Sequence, residues 1–464
     1  MSDRVSSGSE RLDSILGGGL PRNGINVIMG LPGSGKTILA QQYAFHNATQ
    51  DRPVMYLSTV SEPLEKILRY GQTLSFFDRG AIGTAVLYED LGGTLNEKGL
   101  SGTLDRIAEL LKERRPGMIV IDSFKALHPY AQLDEDFRRF LHDLAGRLSA
   151  FPATSFWVGE YDHHEIPGSA EFAVADAILC LSMERAGERE MRVLQVIKLR
   201  GSDFLSGRHA YRLSRHGLEV FPRLADPADQ EQYELADTKI SSGIPILDQM
   251  LGRGYWPGAS TLVVGPSGSG KTLMSLHFIF AGALTGETGV IATLQENAAQ
   301  LERIVNGFGW SLSEEGVELM YRAPVDLYLD EWVHELLETV QRTGARRLMI
   351  DSLGDLRATA SDETGFREYM YSLLQRCSRQ GISVMTTQEV GELFGVTRLS
   401  EYGISHVADN VVLLQFLRGE SRVKRGVTVM KTRASAHDPQ IREFEITADG
   451  FVVGNHFPAD QDLS

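Results

Sequence analysis

The stretch GLPGSGKT at residues 30–37 returns as GPSGSGKT at residues 265–272, an offset of 235. Both copies fit the pattern GxxxxGK[ST], and each sits between an apolar run and a helix-forming one. In that context the pattern has a physical meaning. Glycines let backbone N–H groups converge on phosphate oxygens, and the helix that follows adds the positive end of its dipole. Gly33, Ser34, Gly35, Lys36 and Thr37 form the first cradle, and Gly268, Ser269, Gly270, Lys271 and Thr272 the second. The lysines are placed to reach β and γ phosphates, and Thr37 and Thr272 to ligate Mg²⁺.

The repetition extends beyond the cradles. SGSERLDSILGGGL (7–20) aligns with SGIPILDQMLGRGY (242–255) at the same offset, GMIVIDS (117–123) with RRLMIDS (346–352), and IKLRGS (197–202) with MKTRAS (430–435). Offsets of 229 and 233 in the last two pairs mean small indels between two copies of one domain. A period this long is a domain duplication, since solenoid units are far shorter. The expected organisation is a domain at 1–222, a linker at 223–239 and a domain at 240–464, the stretch 221–239 being polar, acidic and carrying two prolines. Within each copy, uniformly apolar runs such as INVIMG, PVMYLS and GMIVID alternate with helical patterns, which predicts an α/β fold with a mainly parallel sheet covered by helices on both faces.

Composition narrows the function classes. No run of about 18 apolar residues is available to span a bilayer, and MSDRVSSGSE resembles no secretory leader, so a cytoplasmic protein without a membrane role is expected. The two cysteines, Cys180 and Cys377, lack the spacing of a disulfide framework or a thiolate metal site. With 61 acidic against 46 basic residues the net charge is −15, which works against nucleic-acid binding. The segment EVGELFGVTRLSEYG (389–403), where a DNA motor needs basic loops, has Arg398 as its single basic residue among several acidic ones.

Each hhhhDS strand end supplies an aspartate, Asp122 or Asp351, suited to hold the Mg²⁺ ligand sphere. Hydrolysis also needs a carboxylate to orient or deprotonate water, and RecA-type enzymes place it just after the strand that follows the P-loop helix. VIATLQE offers Glu296, 25 residues after Lys271, whereas VMYLSTVSE offers Glu62, 26 residues after Lys36. Glu62 is either the base after a one-residue slip or a helix N-terminal charge beside Pro63. MRVLQVIKLR and KRGVTVMKTR carry matching cations, Arg192, Lys198, Arg200 and Arg425, Lys431, Arg433, whose even spacing predicts one strand face for each trio. They fit either a neighbouring subunit's triphosphate or the charges of a protected edge strand. YDHHEIPG, with Asp162, His163, His164 and Glu165, reads as a polar loop because adjacent side chains point apart. Phe308 in NGFGW is a candidate to stack on an adenine or to join the core.

Taken together, SGIPILDQMLGRGYWPG, the twin GSGKT loops, IKLRGS and MKTRASAHDPQIREFEI (430–446) resemble the KaiC family of circadian-clock ATPases over nearly the whole chain. The resemblance implies two tandem RecA-like P-loop NTPase domains that assemble as a two-tiered homohexamer. ATP with Mg²⁺ then sits at subunit interfaces, Lys198, Arg200, Lys431 and Arg433 act on the neighbour's nucleotide, and Arg192 and Arg425 stand as interface arginines. It also implies ATP hydrolysis, serine/threonine autokinase capacity, a role in signalling or timing, and a regulatory partner of the KaiB or signalling type. A RecA-like DNA-dependent ATPase and a nucleotide-stabilised scaffold with little turnover are the competing readings.

Three departures from the family pattern stand out. The family's paired glutamates are here Gln295-Glu296 in one half and Val60-Ser61, then Glu62, in the other. The Ser-Thr phosphorylation pair aligns with Ser405-His406, leaving Ser405 as the single acceptor candidate. The chain stops at Ser464, soon after DGFVV, which implies most of the long activator-binding tail is missing and no full three-component clock.

Overall fold

A computed structural model describes residues 4–59, 64–186, 189–224, 236–325, 327–360, 363–391, 406–418, 422–433 and 435–456. The chain divides into two compact units, Met1–Arg223 and Leu224–Ser464, each built on one nine-stranded sheet. In the first sheet the order is Val86–Asp90, Val54–Ser58, Met118–Asp122, Thr154–Glu160, Ile25–Gly30, Ala177–Ala186, Arg189–Leu199, Arg208–Ser214 and Gly217–Phe221. The strands from Val86–Asp90 to Ala177–Ala186 run parallel, and those beyond are antiparallel. The second sheet repeats this order strand for strand, from Val317–Tyr321 through the central Ser260–Gly265 to Gly450–His456.

The central strands are apolar throughout because both their faces are covered. Val27 and Met29 pack beneath helices Gly92–Arg114 and Asp134–Ser149, while Ile28 points the other way, onto Leu39 and Tyr43 of helix Lys36–Asn47. Leu262 and Val264 oppose Val263 in the same manner in the second unit. Among the described residues no helix is long and apolar enough to cross a membrane.

The repeated residues at the start of each copy have structural reasons. Asp13 accepts from the Ser7 N–H at 2.8 Å, and Asp248 from the Ser242 N–H at 2.7 Å, so each aspartate closes the turn that leads into its first helix. Gly19 and Gly254 adopt φ of 110° and 101°, and an added Cβ would lie 2.5 Å from the Val5 carbonyl oxygen or 2.3 Å from that of Ile240. Only glycine fits there.

One half-buried histidine is expected to make the stability of the second unit depend on pH. His277, on helix Lys271–Leu284, accepts the Phe451 N–H at 2.9 Å and packs edge-on against Trp310. Burial pushes its pKa down from 6.5 to about 4. The unfolded chain therefore binds a proton below pH 6.5 that the folded one excludes, and stability falls as pH drops from 6.5 towards 4. His277→Gln, which keeps an acceptor but does not titrate, is expected to flatten the fall in melting temperature over this window. An unchanged slope in thermal melts at several pH values would count against the assignment.

Candidate functional site

Each cradle joins a central strand to a helix N-terminus. Gly35 and Gly270 cap helices Lys36–Asn47 and Lys271–Leu284 in the left-handed region, with φ of 92° and 102°, and neither helix carries an acidic residue in its first turn. Gly33 and Gly268 have φ of 78° and 72°, and a Cβ there would meet nothing within 4 Å, so each loop leaves open room beside its backbone. Ser34 and Ser269 are fully buried, and their hydroxyls have no hydrogen-bond partner. The lysines fold back on their own loops. Lys36 Nζ donates to the Leu31 carbonyl and Lys271 Nζ to the Pro266 carbonyl, both at 2.9 Å. Burial lowers both lysine pKa values, opposed by Glu160 and Asp122 in one site and by Glu389 and Asp351 in the other. Buried hydroxyls without partners, ammonium groups resting on carbonyls and an open glycine turn fit a phosphate chain.

Asp122 and Asp351 end strands Met118–Asp122 and Arg347–Asp351 beside the cradles. Thr37 Oγ1 donates to Asp122 Oδ2 at 2.8 Å, and Thr272 Oγ1 to Asp351 Oδ2 at 2.7 Å. A hydroxyl and a carboxylate at this separation are hard oxygen donors of the kind Mg²⁺ takes alongside phosphate and water. The two aspartates are braced differently, Asp122 by the Tyr56 hydroxyl at 2.7 Å and Asp351 by the Thr387 hydroxyl.

The cavities also differ. The first, about 770 Å³, is lined by Lys36, Thr37, Asp122, Lys125 and Glu160 on its polar side and by Tyr70 and Leu213 on its apolar side. The second, about 340 Å³, is lined by Lys271, Thr272, Glu296, Asp351 and Glu389, with Phe308 on its wall. Phe308 thus borders the cavity while also packing near Trp310, with centroids 5.8 Å apart. Glu296 is half-buried, accepts from Thr293 Oγ1 at 3.4 Å, and has its pKa raised by burial and then by Asp351. Gln295 also lines this cavity and donates to Asp355 at 2.7 Å.

Glu62 and Ser405 lie outside the described residues, as does most of the linker at 223–239. The neighbouring backbone still sets a register. The Thr59 N–H donates to the Asp122 carbonyl as the Leu294 N–H donates to that of Asp351. Counting on along the sequence, Ser61 matches Glu296 and Glu62 matches Asn297.

The cation trios do not share a face, contrary to the expectation from even spacing. In the first unit Ile178 pairs with Lys198 and Leu179 with Val196, so Ile197 is an extra residue. Leu194 and Val196 join the core on the side of helix Lys36–Asn47, whereas Ile197 packs on the opposite side, and Lys198 follows it. A bulge reverses the alternation beyond it. Met430 makes the same bulge in the second unit. Arg192, before the bulge, donates to the Gly33 carbonyl of its own cradle at 2.7 Å. Lys198 and Arg200, after it, stand away from that cavity. Lys198 donates to the Phe172 and Ala173 carbonyls, and Arg200 approaches Asp176 at 3.5 Å. Lys431 donates to the Ala408 carbonyl at 2.6 Å and Arg433 approaches Asp409 at 3.4 Å, in the same pattern. Arg425 lies over the Phe416 ring, 5.7 Å from its centroid.

The KaiC ATPase family model matches residues 5–225 and again residues 240–457. The chain belongs to the KaiC family. Circadian clock oscillator protein KaiC from Rippkaea orientalis is 27% identical to it over 97% of this chain and 88% of its own. The protein of the same name from Picosynechococcus sp. is 28% identical over 97% and 89%. Circadian clock protein KaiC3 from Synechocystis sp. is 27% identical over 98% and 92%. The two sheets are therefore tandem RecA-like domains, and membership makes the chain an ATP-binding ATPase of the KaiC kind.

Three cavity-lining residues carry no motif signal. Glu160 and Glu389 end the strands next to the cradle strands, where they pair with Gly30 and Gly265, and Lys125 follows Asp122 in IDSFK. The usable clue was positional, because strand ends beside a P-loop strand reach its cavity. In YDHHEIPG the carboxylates are engaged locally. Asp162 accepts from the His164 N–H, and Glu165 accepts from the Asp162 N–H and from Lys125.

Proposed function

We propose that this KaiC-family protein is an ATP-hydrolysing switch that works as a two-tiered homohexamer in the cytoplasm, serving signalling or circadian-type timing. Its domains are taken as 1–222 and 240–464, joined by a linker at 223–239. Lys36 and Lys271 bind the β and γ phosphates, helped by the backbone of Gly33, Ser34, Gly35 and of Gly268, Ser269, Gly270. Thr37 with Asp122, and Thr272 with Asp351, hold Mg²⁺, which offsets the charge of the phosphates when bound. Glu296 orients the attacking water and takes its proton. The observation that carries this reading is Glu296 on the cavity wall with Thr272 and Asp351, its carboxylate made more basic by burial and a neighbouring aspartate.

Lys198, Arg200, Lys431 and Arg433 are assigned to the neighbour's triphosphate. Support comes from their place away from the cavity of their own unit, the lysines on the Phe172 and Ala408 carbonyls and the arginines beside Asp176 and Asp409. Arg192, which donates to the Gly33 carbonyl of its own cradle, and Arg425 are assigned as interface arginines on the face opposite to those lysines. With Ser61 at the register of Glu296, the first site is read as holding ATP more than turning it over, Glu62 being its remaining candidate base. A regulatory protein of the KaiB or signalling type is the proposed partner.

Ser405 is the proposed acceptor for autophosphorylation, with Glu296 of the adjacent subunit taking the hydroxyl proton as the γ-phosphoryl group transfers. Incubating the full chain with Mg²⁺-ATP tests both activities at once. The expected result is continuous release of phosphate together with slow labelling of Ser405, both lost in Lys271→Ala. Phosphate release without a phosphopeptide containing Ser405 would leave an ATPase without the kinase, and no release at all would sink the enzymatic reading.

A further inference from the structure

Among the described residues, the first cavity is lined by a second lysine where the second cavity has Lys271 alone. Lys125 stands three residues after Asp122, in the turn Phe124–Tyr130, and lines the same cavity as Lys36, Thr37 and Asp122. The position three residues after Asp351 is Gly354, which has no side chain. Lys125 Nζ lies 2.6 Å from Glu165 Oε1 and 4.9 Å from the centre of the Tyr161 ring. We propose that Lys125 is a phosphate-binding residue of the first site, supplied by the same subunit, which leaves Glu165 for the terminal phosphate of bound ATP. The proposal rests on reading this cavity as a nucleotide site.

The competition favours the nucleotide. Lys125 and Glu165 side chains remain 37% and 40% exposed, and ion pairs of that exposure are weak because water screens them. A triphosphate in the same cavity carries several negative charges and offers charge-assisted hydrogen bonds. Asp122 and Thr37 are the expected Mg²⁺ and terminal-phosphate side of the cradle, and Lys125, three residues after Asp122, lines the same cavity. Glu165 is not stranded by the exchange. Its other oxygen accepts the Asp162 N–H at 2.7 Å, so the turn after strand Thr154–Glu160 keeps its cap.

Two substitutions then have opposite signs. In the full chain carrying Lys271→Ala, so that bound nucleotide reports on the first site, affinities are measured with Mg²⁺ for ADP and for an ATP analogue with an imido bridge. Lys125→Met is expected to weaken the analogue by about tenfold while moving ADP by less than about twofold, the loss of one charge-assisted contact at the terminal phosphate. Glu165→Gln is expected to tighten the analogue by about threefold, since it removes the competitor for the ammonium group. If the ion pair only braces the turn, both substitutions shift affinity in the same direction, or both nucleotides shift equally, and the proposal is overturned. If the parent chain binds neither nucleotide, the nucleotide-site reading fails and takes the proposal with it.

Discussion

Glu296→Gln is expected to lower ATP turnover by about 10²–10⁴-fold, the usual loss when a general base is removed. Glu296 lines the second cavity with Lys271, Thr272 and Asp351, and the amide cannot accept the proton of the attacking water. Nucleotide binding should persist, because the cradle and the Thr272–Asp351 pair are untouched. Glu62→Gln is expected to cost far less, since the residue that matches Glu296 by register is Ser61. The raised pKa of Glu296 adds a pH signature. As pH falls the carboxylate takes up a proton earlier than an ordinary glutamate does, so turnover should begin to fall at a higher pH than a normal glutamate would set. Steady-state phosphate release by the three proteins decides the matter. Abolition by Glu62→Gln with Glu296→Gln intact would reverse the assignment.

Withdrawing ATP and Mg²⁺ should convert the proposed hexamer to smaller species, the second large effect. Burial and the adjacent arginine lower the pKa of Lys198 and of Lys431, so in each unit a lysine and an arginine crowd together, beside Asp176 in the first and Asp409 in the second. Two cations facing a neighbour's surface repel unless an anion arrives with it. A triphosphate held in the neighbour's cradle supplies that anion, which makes assembly nucleotide-dependent by mass action. Replacing Lys431 and Arg433 together by Ala removes charge-assisted contacts that typically give about tenfold or more in affinity each. The variant should therefore assemble poorly even at saturating ATP. Light scattering that reads single chains of the unaltered protein at saturating ATP and Mg²⁺ would overturn the ring.

Much of this molecule was legible in its residues because the informative features are local. A GxxxxGKT loop between an apolar strand and a helix carries its own geometry, and Gly35 and Gly270 sit in the left-handed cap that this geometry requires. Uniformly apolar strands announce a sheet covered on both faces, and the offset of 235 announces that it is built twice. Asp122 and Asp351 were readable for the same reason, each ending a run whose pattern names it a strand.

What the tertiary structure alone decided depends on which strands become neighbours. Glu160 reaches the first cavity because strand Thr154–Glu160 lies beside Ile25–Gly30, far away in sequence, and no local pattern encodes that adjacency. Tyr56 and Thr387 brace their aspartates from different strands in the two units, so a duplicated sequence motif does not imply a duplicated support. The bulges at Ile197 and Met430 are the plainest case. Spacing along a strand fixes side-chain direction only while the ladder is regular, and one extra residue placed Arg192 at its own cradle and Lys198 on the opposite face. Local chemistry was thus written in the chain, whereas the side on which each charge emerges was settled by hydrogen-bond register between strands that only folding brings together.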